Sequence, residues 1–145
     1  GVVMVKYSDI HKAIVKKIKS KFGNITFSPN IEEGITRPSF FIELDNIRAS
    51  DFMREAMDSE ITCRIYYFSK TINDNRMELY NIQDGLNELF QGKLLKVDGE
   101  LNIEIDTLEF NIVDKVLHCY FGLSFSTDYE VIDDIPLMEN LELEG

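Results

Sequence analysis

The chain has 145 residues, which suits one domain, and 44% of them are hydrophobic, enough to build a core. No uncharged apolar run approaches the roughly 20 residues that span a bilayer, and no signal peptide is evident. We therefore expect a cytoplasmic protein with no membrane contact, and Met4 as its natural start. The formal net charge of −11 disfavours sequence-independent binding to nucleic acid.

The charge is unevenly distributed along the chain. Residues 1–22 carry six lysines and one acid, Asp9, whereas residues 23–145 carry nine basic and 25 acidic side chains. Because opposite charges attract at encounter, the basic segment of one copy is suited to an acidic surface of another.

The first segment predicts an amphipathic helix of about four turns. Ser8 is a suitable N-cap, and Gly23 is a suitable stop. One apolar stripe has four-residue spacing: Ile10, Ile14, Ile18 and Phe22. The remaining surface is basic: Lys12, Lys16, Lys17, Lys19 and Lys21.

Two strands follow, at residues 40–45 and 61–68, where apolar and polar side chains alternate with period two. The connection between them, 46–60, is long for neighbouring strands, and a loop of this length is often functional. Methionine and arginine are enriched at protein interfaces, so four of its residues become interface candidates. The alternative is that the loop methionines fold back over the core. They are Arg48, Met53, Arg54 and Met57.

A second helix is predicted at about residues 73–91. Asn75 and Glu78 have the spacing of a capping box. Gly85 lies in the middle of this helix, where glycine costs about 1 kcal/mol relative to alanine. We interpret Gly85 as a point of close packing against the sheet.

The last third is rich in strand patterns. Asp98-Gly99 between two apolar segments, 94–97 and 101–105, predicts a hairpin. Residues 108–112 form a further strand, and a long strand follows with its core face at Leu117, Cys119, Phe121, Leu123 and Phe125. From residue 128 the chain carries seven acids and no lysine or arginine, which we interpret as an acidic tail. Asp133 and Asp134 in this tail are further interface candidates.

The predicted fold is α+β, with a mainly antiparallel sheet and two helices packed on one face. The single domain covers residues 4–127, and the acidic tail covers 128–145.

Chemical signatures are sparse. Cys63 and Cys119 lie in apolar strand segments and are interpreted as buried, reduced thiols. His11 falls on the lysine side of the first helix, and His118 falls in the long strand. Neither has a partner at metal-ligand spacing. Three acid pairs could bind a divalent cation, but without the spacing of a calcium loop they are interpreted as solvated surface: Glu32-Glu33, Glu104/Asp106 and Asp133-Asp134. We predict no catalytic residue, metal or cofactor.

Two segments resemble phage tail terminator proteins. Arg37–Leu44 reads RPSFFIEL and is similar to the first sheet strand of that family, which follows a lysine-rich N-terminal helix. Ile61–Ser69 reads ITCRIYYFS and resembles the next strand, after which a helix like Glu78–Phe90 follows. By order of elements the resemblance covers about residues 4–127. It is closest to terminators of contractile tails, including those of defective prophages and phage-tail-like bacteriocins.

The resemblance implies a hexameric ring that caps the tail tube, ends its polymerisation and meets the neck or sheath, with DNA at most passing through the lumen. The partners would be further copies of the chain, the tube protein and a sheath or neck protein. A basic first helix against an acidic surface or tail of the neighbour is the candidate ring contact, through Lys12, Lys16, Lys17 and Lys19.

Two alternatives stay open. One is another tail or neck component, such as a tube or head-completion protein. The other is a small enzyme with a site assembled from Tyr66, His118 and nearby carboxylates.

Overall fold

A computed structural model describes residues 3–28, 36–45, 60–97, 101–124 and 129–132. The helices are α1 (Tyr7–Phe22) and α2 (Arg76–Phe90). The strands are β1 (Val3–Lys6), β2 (Thr26–Phe27), β3 (Ser39–Asp45), β4 (Glu60–Phe68), β5 (Leu94–Val97), β6 (Leu101–Ile105), β7 (Glu109–Val113), β8 (Val116–Ser124) and β9 (Tyr129–Ile132). Neither described helix is long and apolar enough to cross a membrane.

The main sheet has seven strands in the described part of the chain. Its order is β2-β3-β4-β8-β6-β5, and β7 pairs with β8 next to β6. All of its pairings are antiparallel except β2–β3. The predicted α+β fold with two helices on a mainly antiparallel sheet is confirmed. The short strands β1, β2 and β9 were not predicted.

The core lies between the two helices and one face of the sheet, which we call the inner face. The apolar stripe of α1 is fully buried at Ile10, Ile14 and Ile18. The sheet contributes every second residue of β8, since buried and partly exposed residues alternate from Val116 to Ser124. This alternation is the period of two that a sheet with one covered face imposes.

Phe40 is the aromatic centre of this core and is fully buried. Its ring centroid lies 5.0 Å from that of Tyr67, 5.4 Å from that of Phe22 and 5.8 Å from that of Phe27. The four rings join β3 and β4 to α1 and β2. The segment that carries the family resemblance therefore also connects four elements.

The start of α1 differs from the prediction. The helix begins at Tyr7, directly after β1, and its N-cap is Lys6, without a side-chain cap. Ser8 is therefore a helical residue, and its prediction as the cap is wrong. The helix follows directly on β1, a strand that the sequence pattern did not predict. The predicted end is confirmed, since Gly23 follows the last residue with a φ of 76°.

The predicted capping box of α2 is also wrong. Asn75 is at the cap position, but its amide donates to Ser69 Oγ at 2.6 Å and to the carbonyl oxygens of Lys115 and Thr71. The Glu78 carboxylate instead accepts from the Tyr67 hydroxyl and the Lys70 amide, both at 2.7 Å. The side chains of Asn75 and Glu78 therefore stabilise the β4–α2 connection. The helix itself covers 76–90 rather than the predicted 73–91.

Gly85 marks a close approach, but to α1 rather than to the sheet. A Cβ atom there would lie 2.6 Å from Phe22 Cζ and 3.2 Å from Lys21 Cε. The missing side chain lets the two helices meet.

Two hairpins organise the later strands. The pairing of β5 with β6, in which Val97 faces Leu101, confirms the predicted hairpin, although residues 98–100 lie outside the described part. The β7–β8 turn consists of Asp114 and Lys115 with φ values of 51° and 64°. Two positive φ values are the requirement of a two-residue type I′ turn.

The N- and C-terminal parts of the described chain meet in a second, two-stranded sheet. Val3 to Lys6 of β1 pair in parallel with Tyr129 to Ile132 of β9. The acidic segment 128–145, which the sequence pattern assigned to the tail, therefore contains a strand, β9. The boundary between domain and tail stays a prediction.

Candidate interaction site

The face of the sheet turned away from the helices, which we call the outer face, carries two rows of facing side chains across β3, β4, β8 and β7. Residues that pair across strands share a face, so the register defines these rows. The aromatic row is Phe41, Tyr66, His118 and Asn111. The charged row is Glu43, Arg64, Tyr120 and Glu109.

The aromatic row is a continuous set of ring contacts. The Phe41 and Tyr66 centroids are 5.6 Å apart, and the Tyr66 and His118 centroids are 4.7 Å apart with an edge-on geometry. All three rings are partly exposed. The Tyr66 hydroxyl donates to Glu43 Oε1 at 3.4 Å, so the two rows are connected.

Arg64 is the central cation of the charged row. Its Nε donates to Asp45 Oδ2 at 2.9 Å, and its Cζ lies 5.7 Å from the centroid of Tyr120. Among the described side chains of these four strands, the carboxylates of Glu43, Asp45 and Glu109 outnumber the single guanidinium on this face. The outer face is therefore acidic as well as aromatic.

A hollow of about 280 Å³ opens between the two rows. It is lined by Arg64, Ile65, Tyr66, Asn111, His118, Cys119 and Tyr120. The residues that line it come from β4, β7 and β8. It is large enough to receive an inserted side chain.

The pKa shifts in the aromatic row favour the uncharged forms of His118 and Tyr66. Burial lowers the pKa of His118, and Arg64 lowers it further, while Asp114 opposes the shift. Burial, and then Glu43, raise the pKa of Tyr66. The attraction of this surface for a cation therefore comes from the ring faces and the carboxylates.

The structure brings together Tyr66 and His118, the pair named for an enzyme alternative, with Glu43 beside them. Cys119 is next in sequence but points into the core. Burial raises the pKa of its thiol to about 12, so it stays protonated at neutral pH. At neutral pH Cys119 is therefore not a thiolate nucleophile for the hollow.

A second charged surface lies on α1. Lys12, Lys16 and Lys19 are exposed, and their spacing of four and three residues puts them on the side opposite the buried isoleucines. We call these three residues the lysine stripe. Lys19 Nζ lies 5.8 Å from the Phe27 centroid.

The other two predicted lysines of the helix, Lys17 and Lys21, lie toward α2 and the residues that follow it. Lys17 Nζ lies 6.0 Å from the Phe90 centroid, and burial, with Lys93 nearby, lowers its pKa. Lys21 Nζ pairs with Glu88 Oε1 at 2.7 Å. The stripe is therefore the part of the basic helix that faces outward.

Sequence reasoning missed a third surface, at the start of α2. Ile72, Met77 and Tyr80 are 54%, 68% and 44% exposed, and Arg76 Cζ lies 5.9 Å from the Tyr80 centroid. The available signal was the presence of methionine, tyrosine and arginine outside the apolar stripe of the predicted helix, a composition typical of interfaces.

Six candidate interface residues lie outside the described part of the chain. They are Arg48, Met53, Arg54, Met57, Asp133 and Asp134. Within the described residues, no group of three His, Cys, Asp or Glu side chains is placed to hold a metal ion.

Fold and surfaces define a single α+β domain with an acidic aromatic face on its sheet and a basic stripe on its helix layer. The family model described as "Phage tail terminator protein" matches residues 9–135. This is most of the chain, which therefore belongs to the phage tail terminator family. The family is one of structural proteins, so the chain has a structural role in tail assembly.

One curated protein also matches a short stretch. It is "Splicing factor 3B subunit 4" from Dictyostelium discoideum, 36% identical over 59 residues. The match covers 39% of this chain and 16% of that protein. A similarity over so small a part of that protein does not show a common family.

Proposed function

We propose that the chain forms a hexameric ring that caps the tail tube, ends its polymerisation and joins the tail to the neck or sheath. The observation that carries this proposal is the family match over residues 9–135. The ring would assemble in the cytoplasm of the bacterial host and then remain in the tail, in a phage, a defective prophage or a phage-tail-like bacteriocin with a contractile tail.

The distribution of charge supports self-association into a ring. A ring needs a head-to-tail contact between two different surfaces of the same subunit. The outer face and the lysine stripe are two such surfaces, of opposite sign. The surplus of acid in the chain, at a net charge of −11, would also let DNA pass through a lumen without binding to it.

Tube growth in the presence of the protein tests the proposal. The purified tube protein is allowed to polymerise with increasing amounts of this chain, and tube lengths are measured by negative-stain electron microscopy. We expect the mean length to fall at ratios far below one copy per tube subunit, because one ring blocks one growing end.

An unrelated acidic protein of similar size is the control, and it should leave the lengths unchanged. Lengths that do not respond to this chain would contradict termination. Long tubes formed by this chain alone would favour the alternative of a tube protein.

A further inference from the structure

We propose that the outer face of the sheet in one copy binds the lysine stripe of α1 in the next copy. This inference rests on the ring proposed above and names the two surfaces that meet in it.

The outer face has the chemistry that recognises an ammonium group. Tyr66 presents a partly exposed ring, and the carboxylates of Glu43 and Glu109 are exposed at the two ends of the charged row. Ring faces attract cations, and carboxylates accept charge-assisted hydrogen bonds from them. Arg64 pairs with Asp45 at 2.9 Å, which leaves the carboxylates of Glu43 and Glu109 in excess on this surface.

The lysine stripe has the complementary chemistry. Within the described residues, Lys12, Lys16 and Lys19 take part in no ion pair, whereas Lys21 is paired with Glu88. Residues 1–22 hold six lysines against one acid, so α1 offers a basic surface to a second copy. Charge complementarity therefore selects a second copy as the occupant.

The dimensions of the two surfaces agree. Seven residues of helix, from Lys12 to Lys19, extend about 10 Å at 1.5 Å per residue. Three strand spacings, from Glu43 to Glu109, extend about 14 Å at 4.7–4.9 Å each. Flexible lysine side chains cover the difference.

The two surfaces also have the arrangement that a ring requires. The stripe lies on the helix layer, and the outer face lies on the other side of the sheet, so each copy offers one of them to each neighbour. Such a contact is heterologous. It gives a closed ring when a whole number of the rotations that relate one copy to the next adds up to a full turn.

The experiment uses two full-length variants with opposite charge reversals. One carries Lys12→Glu, Lys16→Glu and Lys19→Glu, and the other carries Glu43→Lys and Glu109→Lys. All five positions are exposed, so both variants should fold, and their circular dichroism and unfolding transitions check this. Single-site controls, Lys70→Glu and Asp84→Lys, make the same kinds of change at exposed positions that belong to neither surface.

Native mass spectrometry then measures assembly, with and without the tube protein. We expect each variant alone to self-associate at least about tenfold more weakly than the wild type, because like charges then face each other. An equal mixture of the two variants should restore closed rings that contain equal numbers of each, because every contact then joins opposite charges. The controls should assemble as the wild type does.

Variants that assemble as well as the wild type, or a mixture that shows no rescue, would overturn the inference and leave the proposed ring intact. A wild type that stays a single subunit even on tubes would overturn the ring and, with it, this contact.

Discussion

Replacing Phe40 with alanine should lower the free energy of unfolding by about 3–5 kcal/mol, the usual cost of truncating a buried phenylalanine. The residue is 0% exposed and contacts three other rings, from α1, β2 and β4. The cavity left behind would be surrounded by rings on separate elements, which cannot all move inward to fill it. Urea denaturation followed by circular dichroism measures the loss.

The neighbouring residue is a matched control. Phe41 is chemically identical but points to the outer face, where it is partly exposed and contacts Tyr66. Its replacement with alanine should cost about 1 kcal/mol, since only part of its side chain is removed from water. Equal losses from the two substitutions would contradict the assignment of the two faces of β3.

Alkaline solution should destabilise the protein through its buried thiols. Burial raises the pKa of Cys119 from its ordinary value of 9.0 to about 12, and burial raises the pKa of Cys63 well above the same value. The folded state therefore retains protons that the unfolded chain releases. This contribution is fully present below about pH 9 and is lost progressively as the pH rises from about 9 towards 12. Tyr67 acts in the same direction above about pH 10, because burial and its bond to Glu78 raise its pKa.

Denaturation in the presence of a reductant, at a series of pH values, measures this effect. For Cys119 alone we expect a loss of about 2 kcal/mol between about pH 9 and 10.5, at about 1.4 kcal/mol per pH unit. The variant Cys119→Ala should begin less stable but lose less over that interval. A variant with the same pH dependence as the wild type would show that this thiol does not titrate as its burial requires.

Much of the fold could be predicted because one face of each element is covered. The buried isoleucines of α1 follow the four-residue stripe, and the core face of β8 follows its period-two pattern. Elements without such a pattern were missed. Strand β2 has two residues, too few for periodicity, and the acids around β9 concealed a four-residue strand.

The candidate site was harder to predict, because it depends on register. The sequence indicated the basic helix correctly as a surface, but it did not separate the exposed Lys16 from Lys17, which lies over Phe90. Tyr66 contacts His118 because β4 pairs with β8. In the chain these two strands are separated by α2 and three further strands, so the sequence pattern does not show that they are neighbours. The prediction of a capping box at Asn75 was wrong for a similar reason. The Asn75 amide donates to the carbonyl oxygen of Lys115, 40 residues away, and the local spacing of residues cannot reveal such a contact.

The position of the protein on the tail tube tests its role most directly. Tubes polymerised in its presence are labelled through a gold-tagged copy of this chain and imaged by electron microscopy. A terminator should appear as one ring at one end of each arrested tube and nowhere along the wall. Label distributed along the wall, or tube ends without label, would contradict a role as the cap of the tail tube.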